Sequence, residues 1–112
     1  MSKQGMLKMS RKRGFDTHIL EAVDEALAVL GESSKQALYS LVEKSHNIKR
    51  EEIPEKIEIF HEALTDVLGV GSKIMERLIA RMLYRKLVLN FEEREEWTLV
   101  DYLRDLSDKG ID

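Results

Sequence analysis

The segment VLGVGSKIMERLIARMLYRKL, residues 67–87, sets the fold class of this chain. Two glycines flank Val70, and apolar residues then recur at spacings of three and four: Ile74, Met75, Leu78, Ile79, Met82, Leu83 and Leu87. That spacing predicts an α-helix, and Ser72 is the residue expected to cap its N-terminus. The apolar arc is wide enough to contact more than one neighbour, so we predict a central helix here.

The two preceding segments also have helical periodicity. The first predicted helix is capped by Asp16 or Thr17 and stopped by Gly31, with the core positions Ile19, Val23, Ala26, Leu27 and Leu30. Ser33 and Gln36 form a predicted capping box for a second helix, with the core positions Ala37, Leu38, Leu41 and Val42.

Further signals divide the rest of the chain into two more helices. Asn47 is expected to end the second helix, and Pro54 suits the first turn of a third, with the core positions Ile57, Phe60, Leu64, Val67 and Leu68. Thr98 with Asp101 predicts the cap of a last helix, which Trp97 anchors to the body, with the core positions Leu99, Tyr102, Leu103 and Leu106. We therefore predict an all-α, compact single-domain bundle of four to five helices with a central apolar helix.

Composition narrows the function classes. The chain has 112 residues, of which 43% are hydrophobic and 35% charged, enough to form one buried core. The absence of cysteine excludes a disulfide scaffold, a thiolate zinc site and a cysteine nucleophile. No apolar run approaches the roughly 20 residues of a membrane span. We expect a cytoplasmic protein that does not contact a membrane.

Charge divides the chain into three predicted parts. Residues 1–14 hold five basic and no acidic side chains, and we expect a flexible basic arm there. Residues 15–91 form the predicted helical domain. Residues 92–112 hold eight acidic and three basic side chains, which indicates an acidic C-terminal helix or extension.

Residues suited to catalysis are sparse. The histidines, His18, His46 and His61, fall on three different predicted helices and lack metal-ligand spacing, although His61 can still meet His18 or a glutamate in space. We expect the glutamates of residues 92–96 to be solvated, whereas acid–base catalysis needs a desolvated carboxylate. We predict no catalytic residues, no metal and no cofactor. A hydrolase would require a buried histidine–carboxylate cluster that the sequence does not show.

The turn at residues 69–73 is the most suggestive local feature. Its Gly-Val-Gly-Ser-Lys order is similar to a helix-hairpin-helix element, in which the turn exposes backbone N–H groups to a DNA phosphate. Basic residues follow at intervals of four along one helix face. The predicted nucleic-acid or anion contacts are Gly69, Gly71, Ser72, Lys73, Arg77, Arg81 and Arg85.

Two other interpretations of this turn stay open. The glycines can serve only to let two helices turn, and the basic ridge can be a solvated face that pairs with acids such as Glu76. The acidic extension of residues 92–112 can also fold back on the ridge and mask it.

The order of several segments resembles a family of small archaeal output domains, best known from ammonia-oxidising archaea. The segments are HILEAVDEAL (18–27), LGESSKQALY (30–39), IKREEIP (48–54) and residues 60–87 around LGVGSK. The resemblance covers about residues 17–90 and implies an all-α fold with a role in signal output or regulatory interaction. It brings no ligand, reaction or binding residues. In that family the domain occurs alone or attached to a receiver domain, and no receiver domain is present in this sequence.

The leading hypothesis is a non-enzymatic regulatory or interaction module that acts by self-association or by docking a protein partner. The alternative is a nucleic-acid-binding regulator that uses the Gly69–Ser72 turn and the basic ridge.

Overall fold

Five α-helices make up the computed structural model, which describes the backbone of residues 2–111 and the side chains of residues 14–111. They are α1 (Ser2–Ala28), α2 (Glu32–His46), α3 (Ile57–Leu68), α4 (Gly71–Lys86) and α5 (Leu99–Asp108), with a 3-10 helix (Arg50–Glu52) between α2 and α3. No strand occurs within residues 2–111, and the predicted all-α bundle is confirmed. None of the helices in this range combines the length and hydrophobicity that a membrane crossing requires.

The central helix is α4, as predicted, because it packs against α1, α3 and α5. Its inward face carries Met75, Ile79 and Leu83, all of them buried. Ile74 is an exception to the predicted core, since 70% of its surface is exposed. One residue advances an α-helix by about 100°, so Ile74 points away from the face on which Met75 lies.

Two predicted helix-end signals are confirmed. Asn47 adopts the left-handed conformation (φ 55°, ψ 43°) after α2, and its N–H donates to the Glu43 carbonyl. Gly31 was predicted to stop the first helix, but α1 ends earlier, at Ala28, and Gly31 directly precedes α2 with φ 102° and ψ 152°. Thr98 and Asp101 form a reciprocal capping box at the start of α5, in which the Asp101 carboxylate accepts from the Thr98 N–H at 2.9 Å.

The predicted start of the first helix is wrong. α1 begins at Ser2, so neither Asp16 nor Thr17 caps it. Residues 2–15 contain no proline and many good helix formers, and nothing local interrupts the helix before the predicted cap. The side chains of residues 1–13 lie outside the described residues, and the flexibility expected of residues 1–14 stays a prediction.

Three further boundary predictions are wrong. α2 begins at Glu32, which places Ser33 inside the helix, and α4 begins at Gly71, with Ser72 in its first turn and not capping it. In both cases a glycine at positive φ makes the turn, and the helix begins within two residues of it, ahead of the serine. Pro54 lies in the turn before α3 rather than in its first turn.

Fewer residues of α2 are buried than the sequence predicts. Leu38 and Val42 are buried, whereas Ala37, Leu41 and the preceding Leu30 are exposed. Because α2 packs mainly against α1 and α3, it buries only a narrow stripe.

An aromatic cluster holds residues 91–105 against α4. The Tyr84 hydroxyl donates to Asp105 Oδ2 at 2.6 Å, and burial together with that hydrogen bond raises the pKa of Tyr84 above its ordinary value. The Tyr102 ring lies between Phe91 and Trp97, with ring centroids 5.2 and 5.1 Å away. Trp97 therefore anchors the last helix to the body, as predicted.

A polar cluster joins α1, α2 and the 3-10 helix. Arg50 donates from Nε and Nη2 to both carboxylate oxygens of Asp24, at 3.0 and 2.5 Å, and the Tyr39 hydroxyl donates to Asp24 Oδ1 at 2.5 Å. Burial alone raises the pKa of Asp24, but the hydrogen bonds from Arg50 and Tyr39 outweigh it and hold that pKa below its ordinary value. The ionised carboxylate therefore contributes to stability.

We expect Asp24→Asn to lower the free energy of unfolding at pH 7 by about 1–3 kcal/mol, because Arg50 loses its charged acceptor. Since the pKa of Asp24 is lowered in the folded state, this contribution is present above about pH 4 and is lost as the pH falls through the folded pKa. Urea denaturation should separate variant from wild type at pH 7, and the difference should shrink as the pH falls below about 4. Glu43→Gln, an exposed change on α2, is the control, and an equal loss there at pH 7 would contradict the assignment.

Candidate functional site at the turn between α3 and α4

The turn that joins α3 to α4 is made by Gly69. Its φ of 59° lies in the left-handed region, and its N–H donates to the Thr65 carbonyl at 2.9 Å. Only glycine adopts this backbone conformation without a Cβ clash. The chain reverses within two residues, and the side chain of Val70 is left 95% exposed at the tip of the turn.

An open cleft of about 550 Å³ lies beside the turn, where α3, α4 and the start of α5 meet. Its walls come from His61, Thr65, Gly69, Val70, Ser72, Lys73, Glu76, Trp97 and Thr98. The volume is within the range of about 300–1,000 Å³ that small-molecule sites occupy.

Glu76 lies at the inner wall of the cleft and is only 3% exposed. Its Oε2 is 2.5 Å from His61 Nδ1, and its Oε1 accepts from the Leu99 N–H at 2.8 Å. Leu99 is the first residue of α5, where N–H groups have no partner within the helix and the helix dipole favours an anion. One carboxylate of α4 therefore binds α3 and α5 together.

Sequence reasoning placed Glu76 on the solvated face of the ridge, and that interpretation is wrong. Glu76 lies between Met75 and Ile79 on the buried face of α4. Its position inside the apolar stripe was the one available signal. A charged residue there must find a partner, because an unpaired buried charge is strongly unfavourable.

The histidines lie on α1, α2 and α3, as predicted. His46 Nε2 is 3.0 Å from Asp66 Oδ2 at the surface, and no group of three potential ligands among the described residues can hold a metal ion.

His61 contacts Glu76, and the two side chains form a histidine–carboxylate pair of the kind that a hydrolase would require. Because both oxygens of that carboxylate already accept hydrogen bonds, the packing of three helices is enough to explain the pair.

The middle of the basic ridge is covered by the acidic extension. Arg77 Nη1 and Arg81 Nη2 lie 3.3 and 3.1 Å from the two carboxylate oxygens of Glu93, and Arg81 also lies over the ring of Phe91. The extension therefore folds back on the ridge. Among the residues predicted to contact nucleic acid, Arg77 and Arg81 are the two whose charges it offsets.

The two ends of the ridge differ from its middle. Lys73 and Arg85 form no ion pair with any side chain of residues 14–111. They lie twelve residues apart on one helix, about 18 Å, so they do not form one site. Lys73 lines the cleft together with Gly69 and Ser72, whereas Gly71 begins α4 and does not line the cleft.

Comparisons of the chain with protein-family models, with curated proteins and with solved structures find no match. The resemblance to archaeal output domains stays a prediction that rests on residues 17–90.

We expect Glu76→Ala to lower the free energy of unfolding by about 2–4 kcal/mol, because it leaves the Leu99 N–H and the His61 ring without their buried acceptor. Chemical denaturation measures this loss, and Glu43→Ala, an exposed change on α2, is the control. In a double-mutant cycle with His61→Ala, the two losses should be less than additive. Equal losses in Glu76→Ala and Glu43→Ala would contradict the role assigned to Glu76.

Proposed function

We propose that this chain is a non-enzymatic regulatory module that acts by self-association through the exposed surface of α3 and α4. This surface, the docking face, comprises Glu58, Glu62, Val70, Lys73 and Ile74. The observation that carries the proposal is the pair of exposed apolar side chains Val70 and Ile74 at the α3–α4 turn. Unpaired acidic residues on α3 and the unpaired Lys73 on α4 accompany them.

The apolar part of the docking face lies at the turn. Val70 and Ile74 are 95% and 70% exposed and lie one helical turn apart, so they form one patch. Such a patch is commonly an interaction site on an otherwise polar surface. Ile59, also exposed on α3, adds to the apolar surface of this helix pair.

The charges of the docking face suit a second copy of the chain. Glu58, Glu62 and Asp66 recur at intervals of four on α3, and Glu58 and Glu62 form no ion pair with the side chains of residues 14–111. Lys73 on α4 is likewise unpaired. In a dimer with two-fold symmetry each contact occurs twice, so α3 of one copy faces α4 of the other with opposite charges.

The non-enzymatic part of the proposal rests on Glu76, whose two carboxylate oxygens are both occupied by structural donors. The regulatory part, a cytoplasmic setting and action without a cofactor follow the resemblance to archaeal output domains. The docking face supports the same assignment, because self-association gives such a module an output without a catalytic residue.

Ile74→Asp should weaken self-association at least tenfold, because it places a charge in the apolar patch. Sedimentation equilibrium at concentrations from about 10 μM to about 1 mM measures the dissociation constant. Val88→Asp is the matched control, since Val88 is 90% exposed at the opposite end of α4. A wild-type chain that stays monomeric throughout this range would overturn the proposal.

A charge swap tests the arrangement of the two helices. Lys73→Glu and Glu62→Lys should each weaken the dimer, and the combination should restore much of the affinity because the attraction is re-formed with its sign reversed. Lys44→Glu on α2 is the control for net charge. Failure of the combination to recover affinity would contradict the pairing of α3 with α4.

Nucleic-acid binding through the ridge is a second candidate function, and we propose that Glu93 lowers the affinity of the ridge for nucleic acid. The observation in favour is the turn at Gly69–Ser72 with an unpaired Lys73 beside it. The observation against it is the pairing of Glu93 with Arg77 and Arg81, which removes two phosphate contacts.

If the ridge binds DNA, Glu93→Ala should raise the affinity for duplex DNA and steepen its log–log salt dependence by about 2, one phosphate contact for each released arginine. Fluorescence anisotropy at several salt concentrations measures both quantities. Glu95→Ala, an exposed change in the same segment, is the control. Changing Lys73, Arg77 and Arg81 to Glu on the Glu93→Ala background should abolish binding, and equal behaviour of the Glu93 and Glu95 variants would contradict a role for the ridge.

A further inference from the structure

We infer that the cleft beside the α3–α4 turn is a binding site for a small phosphate monoester with an apolar or planar body. Ser72, Lys73 and the N-terminus of α4 would hold the phosphate, and Val70 and Trp97 would contact the body. This inference goes beyond self-association, because it assigns a small ligand to the cleft, which shares Val70 and Lys73 with the docking face.

The first observation is the side chain of Ser72. The residue is 5% exposed and lines the cleft, yet its hydroxyl makes no hydrogen bond to any residue from 14 to 111. Part of the Ser72 Oγ surface stays open to solvent, so water can bond to it in the free protein. Because Ser72 lines the cleft, a ligand oxygen there can take the place of that water.

The second observation is the uncapped N-terminus of α4. This helix is 16 residues long, and no side chain caps its first N–H groups. The Ser72 N–H bonds to the Gly69 carbonyl at 3.0 Å, which leaves the neighbouring N–H groups of the first turn for a ligand. Free N–H groups and the helix dipole together favour an anion, and phosphate fits them best because it offers several acceptor oxygens.

The charges around the cleft are consistent with an anion. The ammonium group of Lys73 has no ion-pair partner among residues 14–111. Glu76 contributes a carboxylate to the cleft wall, which would repel an anion. Its two oxygens, however, accept hydrogen bonds from His61 and from the Leu99 N–H. His61 uses Nδ1 for that contact, and its Nε2 has no partner among the described residues.

The remaining walls suit an uncharged body. Val70 lines the mouth of the cleft, and Trp97 lines the side next to α5. The indole of Trp97 is held in place by Tyr102, edge to face with ring centroids 5.1 Å apart, and by the guanidinium of Arg94 at 5.0 Å from the ring centroid. A rigid aromatic wall next to phosphate donors favours a phosphate ester over free phosphate.

Trp97 is the only tryptophan of the chain and lines the cleft, so the tryptophan fluorescence of the protein reports on ligand binding there. Titration with phenyl phosphate should change its fluorescence with a saturable curve, at least about tenfold tighter than inorganic phosphate, and phenol should bind no better than inorganic phosphate. Amide NMR should show the shifts at residues 71–73. The titrations use the full chain with Ile74→Ser, a neutral change that removes an apolar side chain of the docking face without adding a carboxylate beside Lys73. Failure of self-association and failure of ligand binding are thereby measured separately.

Ser72→Ala should weaken phenyl phosphate binding by about tenfold, as expected for the loss of one hydrogen bond to a charged group. Its urea midpoint without ligand should equal or exceed that of the parent, because the hydroxyl bonds to no other residue from 14 to 111 and alanine favours the helix. Ser40→Ala, exposed on α2, is the matched control.

Four outcomes would overturn the inference. They are no saturable change with phenyl phosphate, equal binding of phenol, unchanged binding in Ser72→Ala, and a lowered urea midpoint of Ser72→Ala relative to Ser40→Ala. Amide shifts at residues 71–73 that appear with duplex DNA but not with phenyl phosphate would also overturn it and assign the turn to nucleic acid.

Discussion

The buried carboxylate of Glu76 is the interaction on which the arrangement of α3, α4 and α5 depends. Moving a carboxylate out of water costs several kcal/mol unless it is paired and hydrogen-bonded, on the order of the whole stability of a domain of this size. Glu76 meets that requirement with His61 on one side and the first N–H group of α5 on the other. Any shift of α3 or α5 along α4 breaks one of these bonds, so the carboxylate sets the positions of both helices.

The cleft follows from this arrangement. α3 and α5 are both held at Glu76, near the N-terminal end of α4, and the Gly69 turn reverses the chain beside them. The side chains of His61, Ser72 and Trp97 therefore converge on one open space, although they come from three separate parts of the chain. The same turn leaves Val70 and Ile74 exposed, which places the docking face next to the cleft.

The electrostatic character of α4 changes along its length because of the aromatic cluster. Tyr84 and Tyr102 bring residues 91–105 back across the helix, and Glu93 consequently reaches Arg77 and Arg81. A ridge of four evenly spaced cations is thereby divided into a paired middle and two unpaired ends. Lys73, at one of these ends, lines the cleft together with Ser72, whose hydroxyl has no hydrogen-bond partner among residues 14–111. This combination distinguishes the turn from an ordinary solvated helix face.

Local sequence was sufficient for features that depend on residues within one helical turn. The helical periodicity of α4, the left-handed Asn47 and the Thr98–Asp101 capping box are such features. Two cap predictions failed because the helix begins before the predicted cap. α4 begins directly after the Gly69 turn, one residue before Ser72, and α1 begins at Ser2 because nothing interrupts the helix before Thr17. The contacts of Glu76 with His61 and of Glu93 with Arg77 span 15 and 16 residues, and they were decided by tertiary structure alone. Periodicity shows which residues share a helix face, but packing determines which face is buried and which distant side chain lies opposite.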